Sequence, residues 1–210
     1  MSYRQQRNYE NLIKAIYPGD GRFDIPFIEP VECSVDNWIS FNFAKTCEDP
    51  EIHGVHFFID DYQFNRVWAQ PDAYLDRLRR FQAVCSPDFS TYTDFPRAVQ
   101  IYNHYRKHWL GAYWQEHGIT VIPTISWSDY SSFDWCFDGE PVGGMVAVSS
   151  VGTQNNPVTQ ELFITGYREM MDRLEPSTVI MYGNVPDDCY GNIVRVGAFQ
   201  EKWRKTAKNI

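Results

Sequence analysis

The stretch Ala83-Val84-Cys85-Ser86-Pro87-Asp88-Phe89-Ser90-Thr91-Tyr92-Thr93-Asp94 opens as a short apolar strand and stops at a Ser-Pro. It then runs into a polar loop ahead of the longest helical pattern in the chain. The same plan recurs at Asp60-Asp61, at Ser126-Trp127-Ser128-Asp129, at Ser149-Ser150 and at Tyr182-Gly183-Asn184. Buried strands that end in polar clusters, with helices between them, bring their ends to one face of an α/β sheet. A site belongs on that face.

The neighbouring segments support this plan. Val55-His56-Phe57-Phe58-Ile59 is nearly continuously apolar, as a strand covered on both faces must be. Pro71 to Phe81 reads as a helix with Pro71 in its first turn and Tyr74, Leu75, Leu78 and Phe81 as its stripe. Pro96 to His117 reads as a long helix, with Ala98, Ile101, Tyr102, Tyr105, Trp109, Ala112 and Tyr113 at spacings of three and four and Gly118 as its stop. Ile119–Ile125 is a further strand, with an irregularity expected at Pro123. Ser126 to Gly144 is a long polar and aromatic loop, and loops of that length tend to be functional or mobile. Met145–Val148 is a strand, Pro157 to Leu174 a helix capped by Asn156, and Thr178–Met181 the last clear strand.

Upstream, Phe23–Ile28 and Trp38–Phe43 read as extended pieces. At the ends, residues 1–22 read as an N-terminal helical arm and Phe199 to Lys208 as a basic helix. Residues 23–210 then form one α/β domain with a mainly parallel sheet of repeated βα units. Even alternation without a Gly-rich dinucleotide turn favours a shortened (β/α)-barrel-like form; an open doubly wound three-layer sandwich is the alternative.

Composition narrows the function classes. The chain has 210 residues, long enough for a sizeable core, and no apolar run approaches a membrane span. The N-terminus carries no secretory pattern, so the expectation is a cytoplasmic protein without membrane contact. The five cysteines are widely spaced and form no Cys-x-x-Cys pair, which reads as free thiols. A net charge of −8 argues against broad binding to nucleic acid. The basic runs Arg77-Arg79-Arg80, Arg106-Lys107 and Lys202-Arg204-Lys205-Lys208 read more plainly as solvated helix faces.

The strand-end rule selects positions without choosing a chemistry. Asp60 and Asp88 are the catalytic candidates. Ser86, Ser90, Ser126, Trp127, Asp129, Ser149, Ser150, Tyr182 and Asn184 are the ligand-binding candidates. Converging carboxylates could hold a divalent cation, or divide the roles of proton donor and acceptor beside a stacking Trp127. The plainer reading of each Asp is a turn or helix cap. Adjacent Asp60 and Asp61 on extended chain point to opposite sides, so only one faces a given cleft. Ser149-Ser150-Val151-Gly152 has the look of an anion cradle but lacks a Walker lysine. His53-x-x-His56 is a pair of possible metal ligands with no acidic partner at motif spacing, and no nucleophile elbow occurs.

Several stretches together resemble a family of uncharacterised bacterial and phage proteins, domain of unknown function 4417. They are Gly54–Asp61, Ser86-Pro87-Asp88-Phe89-Ser90, Asn103-x-x-Arg106-x-x-Trp109 with Gly111 and Trp114-Gln115, Val121–Trp127, Val148–Gly152 and Tyr182-Gly183. The resemblance spans about Phe27 to Lys205. It implies a phage or mobile-element setting in a bacterial host and assigns no activity. Three readings follow: a carboxylate-dependent hydrolase of a nucleotide- or sugar-like ligand, a non-catalytic accessory protein that binds a host protein or sequesters a small signalling molecule, and a replication-associated nucleic-acid binder. For the second, the aromatics Trp127, Tyr130, Phe133, Trp135 and Phe137 offer a contact surface.

Overall fold

A computed structural model describes residues 14–198. The N-terminal helix and the basic C-terminal helix expected from the sequence fall largely or wholly outside the described residues. Gly19–Asp20 (β1) and Ile25–Pro26 (β2) form a small antiparallel pair. The main strands are Asn37–Ser40 (β3), His53–His56 (β4), Ala83–Cys85 (β5), Val121–Ile122 (β6), Met145–Ser149 (β7), Thr178–Tyr182 (β8) and Ile193–Val196 (β9). Helices are Arg66–Ala69 (α1), Leu75–Leu78 (α2), Arg97–Glu116 (α3) and Pro157–Leu174 (α4).

Strands β3-β4-β5-β6 pair in that order, all parallel, and so do β7-β8-β9. A parallel bridge between Thr124 and Ala147 joins the two sets. Pro123 lies at this junction and has no N–H, yet its carbonyl accepts from Ala147 N at 2.8 Å, while Ile125 N donates to Ala147 O at 2.7 Å. The expected irregularity is therefore a shortened strand whose ladder continues by bridge.

Chain order equals spatial order throughout, and the sheet is curled. The His56 ring on β4 lies 4.6 Å from the Tyr182 ring on β8, four strand positions away. In a flat sheet those strands would stand about 19 Å apart. Among the described residues no ladder joins β9 to β3, so the described sheet is open on this side.

Side-chain alternation sorts the core into three parts. Inside the curl, Ala83, Cys85, Ile122, Met145, Ala147 and Ile180 pack with Trp38, Phe58 and Val196. Outside, Val55, Val84 and Val121 meet Trp109, Leu110 and Trp114 of α3. Val146, Val148, Val179 and Met181 meet Phe163, Tyr167, Met170 and Leu174 of α4. Both faces are buried, which explains the unbroken apolar runs. Gly54 leaves room for an inward neighbour: a Cβ there would sit 2.7 Å from Val35 and 2.8 Å from the Trp38 ring.

Four readings of the sequence are corrected. The expected helix over Pro71–Phe81 divides into a 3₁₀ turn at Pro71–Tyr74 and the single turn α2. Trp38–Phe43 is a strand only to Ser40 and then a 3₁₀ turn at Phe41–Phe43. Of the aromatic loop, Phe133, Trp135 and Phe137 are buried in the core and only Tyr130 is well exposed, so the loop is packed structure and most of its rings are not on the surface. The largest correction concerns α3, whose buried face includes Gln100, Asn103, His104, Lys107 and His108, while Tyr102 of the expected stripe is exposed.

Each of those buried polar groups has a partner, as burial demands. Gln100 Nε2 donates to the carbonyls of Tyr92 and Phe95, and Asn103 Nδ2 to Ser90 O at 2.6 Å. Lys107 Nζ donates to Thr124 O at 2.7 Å and to Glu140 Oε1 at 2.6 Å, so it is no part of a solvated basic face. His108 Nδ1 lies 2.8 Å from Pro26 O, and since a carbonyl only accepts, this nitrogen carries the proton. His108 Nε2 stands 2.9 Å from the same Glu140 oxygen that Lys107 reaches. Burial alone would raise the Glu140 carboxyl, but Lys107 and His108 outweigh it and hold it below its usual range.

Replacing Lys107 by Met leaves the Glu140 charge buried without its cation, which should cost about 3–5 kcal/mol in chemical denaturation at neutral pH. The double variant Lys107→Met/Glu140→Leu should recover part of that loss. Because the folded Glu140 is depressed, its contribution is present above the ordinary glutamate range and is lost as pH falls through the folded value. The penalty in the single variant should therefore shrink in acid. A constant penalty across pH would contradict the pairing.

Candidate functional site

A cavity of about 1610 Å³ occupies the carboxyl ends of the strands and continues down the open side between β9 and β3. Almost every strand supplies part of its wall. Trp38 and Ser40 come from β3, Phe58 and Asp60 follow β4, and Asp88 and Ser90 follow β5. Ser126 and Trp127 follow β6, Ser149 and Tyr182 end β7 and β8, and Arg195 stands on β9. A recess of about 100 Å³ adjoins it, lined by Asp88, Ser126, Trp127, Ser149, Thr153 and Phe163 together with Ile125 and Val148.

The loop that carries Asp88 is fastened at both ends. Ser86 is fully buried; its Oγ accepts from Thr124 N at 2.8 Å and its carbonyl from Thr124 Oγ1 at 2.6 Å. At the other end, Ser90 N and Oγ both donate to Asp61, the latter at 2.8 Å. Arg106 donates to Asn103 Oδ1 at 2.6 Å and to Asn65 Oδ1 at 2.8 Å, and its guanidinium lies 3.9 Å over the Phe89 ring. Asp88 sits between these anchors and opens onto the cavity. Among the described residues no hydrogen bond reaches its carboxylate, although its neighbours on either side are fully engaged. Burial pushes the Asp88 carboxyl up to about 7, with Lys107 pulling it down and Asp61 pushing it further up.

Asp60 is exposed and lines the cavity, whereas Asp61 turns away to hold Ser90. Two aromatic surfaces flank the space. On one side Tyr182 contacts His56 and Phe58 at 4.6 and 5.0 Å between ring centroids. On the other, Trp127 lies 5.5 Å from Phe163 and rests on Gly166 of α4, where a Cβ would come within 2.2 Å of the indole. Glycine at that point on the helix is thus the seat of the tryptophan.

Of the residues singled out from sequence, Asp60, Asp88, Ser90, Ser126, Trp127, Ser149 and Tyr182 come together around the cavity. Ser86, Asp129, Ser150 and Asn184 lie outside its wall and serve the scaffold. Ser86 locks β5 to the end of β6. Asp129 accepts from Ser131 N at 2.9 Å as a cap, and the Ser131 hydroxyl holds its carboxyl below the usual range. Ser150 Oγ donates to Asn184 O at 2.5 Å, and Asn184 Oδ1 accepts from Arg195 at 2.9 Å. In the Ser149–Gly152 turn, Val151 N donates to Ser149 Oγ and Thr153 N to Ser150 O, so part of the anion cradle is already occupied by the turn itself.

His53 and His56 do not act as a pair. His56 faces Tyr182 inside the cavity, whereas His53 Nδ1 bonds Asp49 O at 2.9 Å. Groups of three ligating side chains occur at Cys47-Asp49-His53 and at His104-His108-Glu140; Asp60 and Asp88 belong to neither. Sequence reasoning missed His56, Phe58, Phe163 and Arg195 as wall residues. His56 was legible in principle, being one strand period before Phe58; Arg195 sits in the short edge strand Ile193–Val196, whose middle pair Val194 and Arg195 is exposed.

An Asp whose folded value exceeds its unfolded value destabilises the fold progressively as pH rises between the two. Asp88→Asn should therefore be about as stable as wild type near pH 4 and more stable at pH 8, by about 1–3 kcal/mol once access to the cavity is discounted. Denaturation midpoints at the two pH values check this. A loss of stability at pH 8 would instead mark Asp88 as a structural anchor.

The comparisons with known proteins agree with the sequence resemblance. The chain is similar to the Gene 1 protein of Mycobacterium phage D29, 37% identical over 202 residues that cover 94% of this chain and 74% of that protein. It is also similar to the Gene 1 protein of Mycobacterium phage L5, 39% identical over 175 residues, 82% of this chain and 76% of that one. No solved structure matches. Among the described residues no helix is long and apolar enough to cross a membrane. The family described as Domain of unknown function (DUF4417) matches residues 17–200, most of the folded chain, and the chain belongs to it.

Proposed function

We propose that the cavity takes a polar, ring-bearing small molecule of the nucleotide or sugar class, and that Asp88 acts on it as a general acid–base in a hydrolytic reaction. The observation that carries this reading is the state of Asp88. Its carboxyl opens onto the cavity, is held in place through its neighbours, accepts no hydrogen bond among the described residues, and titrates near 7. A proton-transfer group works best when its pKa lies near the working pH. Its loop is tied at both ends while its own acceptor capacity is unused among the described residues, which is the condition for meeting a substrate or a water. The adjoining recess has room for such a water.

The rest of the wall suits the ligand class. Trp127 and the Tyr182–His56–Phe58 surface offer flat faces for a ring. Ser90, Ser126, Ser149 and Asp60 offer groups that can bond hydroxyls, with Asp60 as the second carboxylate. The cavity exceeds the usual ~300–1,000 Å³ of small-molecule sites, which leaves space for a nucleotide-sized ligand with bound water. We read the curled sheet as a shortened (β/α) barrel open between β9 and β3, in support of which stands the unbroken parallel order of its strands. A cytoplasmic phage-encoded protein that only sequesters such a molecule would use the same wall without turnover.

Nucleotides, nucleosides and sugars tested by thermal shift, with products followed by mass spectrometry, distinguish these readings. One class should raise the melting midpoint of the wild type and do so less in Trp127→Ala. Turnover should depend on a group titrating near 7 and fall about 10²–10⁴-fold in Asp88→Asn. Binding without turnover would leave sequestration; turnover that survives in Asp88→Asn would remove Asp88 from the reaction.

A further inference from the structure

The two groups of metal-ligating side chains differ in a decisive respect. In the buried group, His104, His108 and Glu140 share their space with Lys107, whose ammonium lies 2.6 Å from the Glu140 oxygen. That carboxylate already has its cation. The second group, Cys47, Asp49 and His53, pairs with no lysine or arginine among the described residues and is partly open to solvent, with the His53 side chain 16% and that of Asp49 54% exposed.

Its geometry fits a metal. Cys47 Sγ lies 3.7 Å from Asp49 Oδ1 and 3.8 Å from His53 Nδ1, and His53 Nδ1 lies 3.5 Å from Asp49 Oδ1. A zinc ion held tetrahedrally, at ~2.3 Å from sulfur and ~2.0–2.1 Å from nitrogen and oxygen, would set these three edges at about 3.5, 3.5 and 3.3 Å. Each observed edge is therefore within about 0.3 Å of what the ion requires.

The local chain explains why three ligand types from seven residues converge. Pro50 starts a 3₁₀ turn, Pro50–Ile52, that folds the chain back so that His53 stands over Asp49. His53 is then held by the sheet, in register with Asn37 on β3, and its carbonyl accepts from Gln82 N at 2.9 Å. On the other flank, Thr46 N and Oγ1 both donate to Phe43 O and close the turn before Cys47. Glu48 and Glu51 add negative charge to the same loop.

We propose that Cys47, Asp49 and His53 form a mononuclear site for a borderline-soft divalent transition ion of the zinc class, with a fourth position left for water or an exogenous ligand. Thiolate and imidazole disfavour magnesium and calcium, which take oxygen ligands. Three protein ligands with one open position is the arrangement of an exchangeable rather than a closed structural site. On binding, the Cys47 thiol gives its proton to solvent and sulfur takes the metal. His53 Nδ1, which donates to the Asp49 carbonyl at 2.9 Å in the free protein, gives up that hydrogen bond and its proton, leaving the carbonyl to solvent, while Nε2 acquires a proton, so the ring stays neutral. His53 also borders the large cavity, at the opposite end of β4 from Asp60, so the ion would stand at the rim of that cavity.

Cobalt(II) titration of the full chain, after chelator treatment, tests the site directly. One equivalent should produce the strong visible absorption of tetrahedral cobalt and a near-ultraviolet thiolate-to-metal band, and zinc should displace it. Cys47→Ser should abolish the thiolate band, and both it and His53→Gln should weaken binding more than about 100-fold. Cys189→Ser and Asp88→Asn should titrate as wild type, which separates this site from the Asp88 reading. If Cys47→Ser does not fold, Asp49→Asn serves as the second variant and should also lose affinity. A weak octahedral spectrum, absence of binding, or a thiolate band that survives in Cys47→Ser would each overturn the proposal.

Discussion

The buried polar stripe of α3 is the constraint on which the cavity depends. Gln100, Asn103, His104, Lys107 and His108 recur at the spacing that normally carries apolar residues into a core. Burying them without partners would cost more than the helix could recover, so each must meet an acceptor. The acceptors are the carbonyls of Tyr92, Phe95, Ser90, Asp138, Thr124 and Pro26, together with the Glu140 carboxylate. Most of these carbonyls belong to irregular segments, where ladder partners are scarce. One helix thereby satisfies the loops after β5 and before β7 and the short β1–β2 pair, and so fixes the walls among which Asp88 stands.

This stripe also marks the boundary of what the sequence reveals. Parallel βα order was readable because Val55, Val84, Val121, Val146 and Val179 sit in short apolar runs bounded by turn residues, and the strand-end rule then located the cavity. Periodicity failed on α3 for a physical reason. It detects the burial of apolar groups, and here partnered polar groups are buried instead. Ile101, Tyr102 and Tyr105 looked like the inward stripe, yet a helix surrounded by loops rich in open carbonyls gains more by turning Asn103 and Lys107 inward. Strand β9 escaped notice because Val194 and Arg195 are exposed, so its pairing to β8 leaves no alternating signal.

Three aspartates that look alike in sequence have different fates, decided by backbone direction and by neighbours. Asp60 and Asp61 are adjacent, and their side chains diverge because Asp60 is the last extended residue while Asp61 opens a 3₁₀ turn at Asp61–Gln63, not because both lie on extended chain. Asp61 turns toward Ser90 and becomes an anchor, while Asp60 stays exposed on the cavity wall. Asp88 follows a Ser-Pro pair whose serine is consumed by Thr124, and precedes Phe89, whose ring is covered by Arg106. Both neighbours face the scaffold, so Asp88 is left facing the cavity. No composition or motif rule separates these cases; the tertiary partners Asn65, Asn103 and Thr124 do.

Packing also explains why the cavity is at one end of the curl. Several inward positions of the central strands are small, Gly54, Ala83, Cys85 and Ala147, beside the larger Ile122, and could by themselves leave a channel. At the amino end that space is filled: Trp38 lies over Gly54, and Met145 reaches Cys33, whose backbone N stands 3.3 Å from its sulfur. At the carboxyl end the inward side chains are Phe58 and Tyr182, which lie against each other and leave the centre open. The missing ladder between β9 and β3 extends that opening sideways as far as His53. The cavity therefore has a floor of packed apolar side chains, a wall of loops tied to α3 and, among the described residues, one side where the sheet does not close.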